Sequence, residues 1–218
     1  MLRGRTHAGA TTTKGQRVNE LLNFDMTHLQ THALRACEIV ALRALLSPDE
    51  VAKADRYHRP QDQVLSIAAR ALLRQGLSRY FDVLPKAWRF GTDGFGKPHL
   101  SPLQDDGSVW FSVSHTDGLV VCAISRHGPV GIDAEAIEGS LATTSTDHKA
   151  VLAWTAQEAI AKALGRGLQL PFERIKRVAA DDYRVDLRGL AGVDGLARWR
   201  VTHPALSPRH LVAVAVPW

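Results

Sequence analysis

Two acidic residues lie one position apart in a segment that otherwise has the composition of a buried strand. The segment Gly-Ile-Asp-Ala-Glu spans residues 131–135, so the acids are Asp133 and Glu135. Because side chains alternate between the two faces of a strand, both carboxylates are expected on the same face. A hard cation such as Mg²⁺ binds oxygen ligands of this kind, often together with substrate phosphates. The solvated face of an edge strand explains the pair equally well, and the pair alone favours that explanation.

A later segment places a third acid and a base at helical spacing. Trp154, Glu158 and Lys162 are four residues apart, and residues at this spacing share one face of a helix. On that face Glu158 could bind a metal or act as a general base, and Lys162 could contact a phosphate. Two structural explanations compete: a capping box of Thr155 with Glu158, or a surface ion pair of Glu158 with Lys162, worth about 0.3–0.5 kcal/mol.

Three further groups of residues could bind an anion. Ser114 and His115 end the strand-like segment "FSVSH" and can donate to phosphate oxygens, although a turn-capping serine and an exposed histidine would have the same pattern. The loop "GFGKP" combines glycines, which permit close backbone approach, with a cation. A basic helical region supplies Lys53, Arg56, Arg59, Arg70 and Arg74, each of which could equally be a solvated surface charge.

Helices and strands must position these groups. Apolar residues at spacings of three and four predict a strong helix over residues 61–81, and "SPDEVAKADRY" predicts a helix that begins after Ser47. We also expect a short helix over residues 19–34, a strand in "EIVALRAL", and a helix that ends at Gly165. The segments "VWFSVSH", "LVVCAIS" and "PVGIDAEAI" predict a three-stranded antiparallel meander, and three more strands follow in the tail.

The element order predicts an α+β protein. We divide it into an N-terminal extension that we expect to be flexible (1–35), an N-terminal α+β half (36–129) and a C-terminal α+β half (130–218). The cysteines Cys37 and Cys122 lie in apolar segments, and we expect both to be reduced core residues.

The composition is that of a soluble globular protein: 218 residues, 45% hydrophobic and 22% charged. The net charge of +5 suits an anionic partner, although it also serves solubility. No apolar run is long enough to cross a membrane, and the N-terminus lacks the apolar stretch of a secretory signal. We therefore expect a cytoplasmic monomer that binds neither nucleic acid nor a membrane.

In order, these segments resemble the 4′-phosphopantetheinyl transferases of the larger, surfactin-synthetase-activating type. The resemblance runs from about Glu38 to Val216. It rests on the ordered segments "KADRYHRP", "ARALLRQGL", "FGKPHL", "FSVSH", "GIDAE" and "WTAQEAIAKALGRGLQLP".

The resemblance implies two similar α/β halves related by a pseudo-twofold, with coenzyme A bound between them. It implies transfer of 4′-phosphopantetheine from coenzyme A to a serine of an apo acyl or peptidyl carrier protein. Adenosine 3′,5′-bisphosphate is the second product. Such carriers serve fatty-acid, polyketide and nonribosomal peptide biosynthesis.

The resemblance also assigns roles to residues. Asp133, Glu135 and Glu158 would be Mg²⁺ ligands, Glu158 would take the serine proton, and Lys162 would hold the pyrophosphate and neutralise the leaving group. The remaining residues would contact coenzyme A: Lys53 at the 3′-phosphate, Gly96, Lys97 and Pro98 along the adenine, and Ser114 and His115 at phosphates.

The chain departs from the family pattern in two places. Gln157 stands where the family usually has lysine, and only 19 positions separate Glu135 from Trp154, where a longer segment is usual. An alternative hypothesis is therefore a degenerate member that binds coenzyme A without efficient transfer. A Mg²⁺-dependent nuclease is less favoured, because nuclease sites often place the glutamate and lysine two apart on a strand.

Overall fold

A computed structural model describes residues 24–92, 98–137, 145–189 and 195–218. Within these residues the chain forms a three-stranded sheet, a five-stranded sheet, a two-stranded ribbon and four α-helices. The helices are α1 (Ala36–Arg43), α2 (Pro48–Ala54), α3 (Pro60–Leu77) and α4 (Ser145–Ala163). The strands are β1 (Phe24–Gln30), β2 (Phe90–Thr92), β3 (Pro98–Leu100), β4 (Trp110–Thr116), β5 (Leu119–Ser125), β6 (Gly131–Ala136), β7 (Ile175–Arg177), β8 (Asp182–Asp186), β9 (Leu196–Thr202) and β10 (His210–Pro217).

The first sheet has the antiparallel order β1-β5-β4 and is covered by α3. The apolar stripe of α3, including Leu65 and Leu72, packs on Val120, Cys122 and Ile124 of β5, so the predicted helix is confirmed. Helix α2 begins as predicted: the Ser47 hydroxyl accepts from the backbone N–H of residue 50 at its N-terminus.

The second sheet has the antiparallel order β6-β10-β9-β8-β7, and α4 covers one of its faces. Strand β6 lies very close to α4, because Gly131 has no side chain. A Cβ at this position would overlap the carbonyl oxygen of Ala159 and would lie 2.6 Å from the backbone nitrogen of Ala163. The glycine of the "GIDAE" segment therefore sets the distance between the strand and the helix that carry the acids and Lys162.

The two sheets share an apolar core. Met26 of β1 and Val121 of β5 pack in one cluster with Ile132 of β6 and Val214 of β10. The mixed α/β architecture confirms the predicted class. The division of the chain near residue 130 stays a prediction.

Serine and threonine side chains connect β4 to β6. The Ser112 hydroxyl accepts from the backbone nitrogen of Ile132 at 3.1 Å, and the Thr116 hydroxyl accepts from that of Ala136 at 3.1 Å. Because side chains alternate along a strand, Ser112, Ser114 and Thr116 share a face. They form what we call the β4–β6 seam.

The predicted three-stranded meander is only partly correct. Strands β4 and β5 form the expected antiparallel hairpin, but β6 pairs through its backbone with β10 rather than with β5. The partner strand lies more than seventy residues later in the chain, and nothing in the local pattern of β6 indicates it.

Two predictions for the N-terminal region are wrong. Within the predicted helix over 19–34, residues 24–30 form strand β1, which pairs with β5 in the first sheet. Residues 38–43 of the predicted strand "EIVALRAL" belong to helix α1, whose first turn is stabilised by the Glu38 carboxylate accepting from the backbone nitrogen of Arg35 at 2.9 Å. A short apolar run does not distinguish the two structures by periodicity.

Cys122 is buried and free as expected, whereas Cys37 is exposed, because α1 contributes no buried residue. In the part of the chain that the structure describes, no helix is long and apolar enough to cross a membrane.

Candidate active site

Three elements meet at the carboxylate of Asp133. Its Oδ1 atom accepts from the Lys162 ammonium of α4 at 2.6 Å and from the Ser114 hydroxyl of β4 at 2.9 Å. The same ammonium donates to Ser114 Oγ at 2.9 Å, so the three side chains form a closed triangle. Asp133 is only 4% exposed, and its Oδ2 atom is buried without a hydrogen-bond partner among the described residues. An oxygen in this state is available to accept a ligand.

Two further carboxylates share this electrostatic environment. Burial raises the pKa of Glu135 above its ordinary value, and the Asp133 charge raises it further. The Trp154 indole, which donates to Glu135 Oε1 at 3.2 Å, and Lys162 act in the opposite direction. Burial also raises the pKa of Glu158, which is 8% exposed; Lys162 opposes this, and the two other acids add to it. Within the described residues, the fold thus holds three carboxylates near the ammonium group of Lys162.

The donor chemistry at this site fits a hard cation. Within the described residues, no three side chains of the metal-binding types converge closely enough to form a metal site, and the Lys162 ammonium contacts Asp133 instead. However, the unpartnered Oδ2 atom and the raised pKa values of Glu135 and Glu158 are features that a divalent cation would relieve. Asp133, Glu135 and Glu158 could therefore hold such an ion once Lys162 turns towards another anion.

A cavity of about 230 Å³ lies between α2, α3, β3 and β4. It is lined by Lys53 of α2, Arg70 of α3, Pro98 of β3 and His115 of β4, among others. Loss of hydration around the His115 ring lowers its pKa, and the positive charge of Lys162 lowers the pKa further. The negative charge of Asp62 partly offsets both effects. His115 thus links the cavity to the cluster at Asp133, and a ligand with several phosphates could contact both.

A protein-family profile described as "4'-phosphopantetheinyl transferase, N-terminal" matches residues 16–127, just over half of the 218 residues. The chain belongs to the 4′-phosphopantetheinyl transferase family. Proteins named as 4′-phosphopantetheinyl transferases, from several bacteria, are similar to it over 53% to 77% of the chain.

The similarity to these relatives is modest in identity and broad in extent. A putative 4′-phosphopantetheinyl transferase of Synechocystis sp. is 28% identical over 193 residues, which cover 77% of this chain and 75% of the relative. The transferase HetI of Nostoc sp. is 29% identical over 148 residues, covering 58% and 62%. The transferase Sfp of Bacillus subtilis is 28% identical over 149 residues, covering 60% and 65%.

The transferase brings most of the predicted site residues into two neighbouring groups. Ser114, Asp133 and Lys162 are in direct contact, and Glu135 and Glu158 interact with them electrostatically. A second group, consisting of Lys53, Pro98 and His115, lines the cavity. Gly96 and Lys97 lie outside the described residues.

The position of helix α4 decides between the explanations for Glu158. The helix begins at Ser145, so Thr155 is internal, and its hydroxyl donates to the carbonyl of Val151 at 2.9 Å rather than capping the helix. Glu158 is nearly buried, which also excludes a surface ion pair. Because Glu158 and Lys162 lie on a helix, the arrangement differs from the nuclease alternative.

Sequence reasoning missed two contributions to this site. The first is the role of Trp154, whose indole fixes the Glu135 carboxylate and whose ring packs edge-on against Phe172 at 5.1 Å between centroids. The second is the β4–β6 seam, which holds Ser114 next to Asp133; the alternation of serine and threonine in β4 was the available signal. Gln157, at the unusual position, donates to the carbonyl of Phe172 at 3.3 Å and so supports the same aromatic pair.

Proposed function

We propose that this transferase moves 4′-phosphopantetheine from coenzyme A to a serine of an apo acyl or peptidyl carrier protein. Adenosine 3′,5′-bisphosphate is released. The proposal is carried by the triangle of Ser114, Asp133 and Lys162, which places a cation, an acid and a hydroxyl next to His115 of the cavity lining. This set of groups suits a substrate that has a pyrophosphate and a further phosphate.

Coenzyme A is proposed to lie along the cavity. The Lys53 ammonium would bind the 3′-phosphate, and the ring of Pro98 would pack on the adenine together with Gly96 and Lys97. His115, at the end of the cavity nearest Lys162, would donate to a phosphate oxygen. Charge-assisted hydrogen bonds of this type are about twice as strong as neutral ones.

The acids are proposed to hold Mg²⁺. Asp133, Glu135 and Glu158 would be its ligands, and the ion, when bound, would stabilise negative charge on the pyrophosphate oxygens. Lys162 would then move from Asp133 to the pyrophosphate and would neutralise the leaving bisphosphate. The serine oxygen would form a bond to the phosphorus of the pantetheine phosphate while the bond to the leaving phosphate breaks.

Glu158 is proposed to take the proton of the serine hydroxyl, directly or through a water. A serine hydroxyl is a weak nucleophile until a base accepts its proton. Burial raises the pKa of Glu158, which brings this carboxylate nearer to neutral pH and makes it a better base than a solvated glutamate.

The test is a transfer assay read by mass spectrometry. Purified protein, coenzyme A and Mg²⁺ are incubated with fatty-acid, polyketide and peptide-synthetase apo carriers, and at least one carrier should gain the mass of phosphopantetheine. Chelation of the metal and the variant Glu158→Gln should each abolish the gain. Calorimetric binding of coenzyme A without a mass gain on any carrier would instead support the degenerate alternative.

A further inference from the structure

A row of cations crosses the open face of the second sheet. Tyr183 and Val185 of β8, with Trp199 of β9, point into the core beneath α4. Because side chains alternate along a strand, Arg184 and Arg198 point to the opposite face. Both are exposed there, as is Lys176 of β7.

The strand register places the three cations side by side. Lys176 lies directly opposite Arg184, and Arg184 lies directly opposite Arg198. Like charges in directly opposite positions destabilise a sheet. Arg198 is paired with Asp182 at 2.7 Å, whereas Lys176 and Arg184 have no ion-pair partner in the described parts of the chain. Asp182 therefore neutralises Arg198 and interacts more weakly with Arg184, while Lys176 and Arg184 stay exposed with no ion pair of their own in the described residues.

An aromatic ring orders one end of the row. The guanidinium groups of Arg198 and Arg200 each lie 3.9 Å from the centre of the Trp218 ring. The backbone nitrogen of Trp218 donates to the carbonyl of Arg198 at 3.0 Å, which holds the ring in position. Two arginine side chains are thus oriented in advance, and less conformational entropy would be lost on binding a partner.

The surroundings of the row fit a protein partner better than a nucleic acid. Asp182 and Asp186 lie on the same face of β8 and interrupt the positive charge, which disfavours a continuous phosphate backbone more than a segment with a few separate acids. Apolar side chains border the row, with Leu196 68% exposed and Val178 50% exposed. Arginine and aromatic residues, such as Arg198, Arg200 and Trp218 here, are enriched at protein–protein interfaces.

We propose that the row of Lys176, Arg184 and Arg198 docks an acidic segment of a protein partner, with an apolar residue of that segment against Leu196. The surface is separate from the candidate active site. Asp133 lies opposite Ala213 in the sheet, and Ala213 packs on the α4 side. The row lies on the other face, so a partner bound there leaves the site open.

The test measures binding of a fluorescein-labelled peptide of glutamate with leucine at helical spacing, by anisotropy at low ionic strength. The variants are Lys176→Glu and Arg184→Glu. The control is Lys86→Glu, an exposed lysine in the first half with the same change in charge. The two row variants should weaken binding about tenfold, and the control should change it by less than about twofold. Circular dichroism checks that each variant is folded.

Three results would overturn the proposal. The first is failure of the unmodified protein to bind the peptide, and the second is equal weakening by Lys86→Glu, which would show attraction by the net charge alone. The third is tighter binding of an oligothymidylate of equal charge that Arg184→Glu abolishes, which would make the partner a nucleic acid. Because coenzyme A takes no part in the assay, its outcome is independent of the proposed transfer.

Discussion

At the residue scale, the ammonium group of Lys162 contacts Asp133 and acts electrostatically on His115, which lines the cavity. Replacing it in Lys162→Met keeps the length of the side chain but removes the donor to Asp133 and Ser114. We expect kcat for phosphopantetheine transfer to fall by about 10²–10³, the effect of losing one donor to developing charge. Lys149→Met, an exposed position on the same helix, should leave kcat unchanged. Steady-state assays compare the two variants, and equal effects would remove Lys162 from the mechanism.

The buried carboxylate of Glu158 lets us predict how the stability of the metal-free protein depends on pH. Burial raises its pKa in the fold above the ordinary value of 4.5, so the folded state binds the proton more tightly than the unfolded state. Ionisation of Glu158 therefore lowers stability above its folded pKa, and this cost disappears below the unfolded value. In chelator, Glu158→Gln should be more stable than the parent at pH 7, and the difference should vanish in acid.

Urea unfolding at the two pH values measures this difference. Adding Mg²⁺ at neutral pH should stabilise the parent protein, because only the parent has all three proposed ligands. The parent should then be more stable than Glu158→Gln. A less stable Glu158→Gln in chelator would mean that the ionised carboxylate is held by favourable interactions.

At the element scale, the contact between β6 and α4 determines the geometry of the site. Gly131→Ala would force a Cβ against the carbonyl of Ala159, so the helix must move away and carry Lys162 from Asp133. We expect a loss of about 1–3 kcal/mol in the free energy of unfolding, as for other overpacked sites, together with a loss of transfer.

A control variant, Gly107→Ala, separates the effect of lower stability from the effect of a displaced helix α4. Gly107 has a φ of 72° in an exposed turn, so Gly107→Ala should cost about 1–3 kcal/mol through backbone strain. Its transfer rate should nevertheless match the parent at a temperature where both are folded. Comparable activity of the two alanine variants would contradict a positioning role for Gly131.

The cation row predicts a stabilising substitution in the second sheet. Arg184→Thr removes the middle cation between Lys176 and Arg198 and adds a residue that favours strands. The free energy of unfolding should rise by about 0.2–1 kcal/mol. The gain should shrink in high salt, which screens the repulsion between the remaining charges. A loss of stability at low salt would show that the row is neutralised within the fold.

The individual helices and strands differ in how well the sequence could predict them. Helices α2 and α3 have strong local signals, namely the cap at Ser47 and a continuous apolar stripe, and both form as expected. Strand β6 pairs with β10, a choice made by packing between distant parts of the chain. The acids of "GIDAE" were therefore recognisable, whereas their contact with Ser114 depends on a seam that only the folded sheets create.

At the scale of the whole molecule, the apolar core shared by the two sheets joins their stabilities. Met26 of β1 is 1% exposed and packs in the cluster that contains Ile132 and Val214. Met26→Ala should cost about 2–5 kcal/mol. Because the cluster belongs to both sheets, hydrogen-exchange protection should fall together at amides of β5 and β9.

A substitution within one half tests whether the halves unfold together. Val185 packs in the cluster between α4 and the second sheet, and no described residue of the first sheet belongs to that cluster. If the sheets unfold as a unit, Val185→Ala should lower protection in β5 as much as in β9 for amides that exchange by global unfolding. Protection that falls in β9 but persists in β5 would show that the halves open separately. In that case the predicted boundary near residue 130 would separate two independently stable domains, and the shared core would be a weak interface.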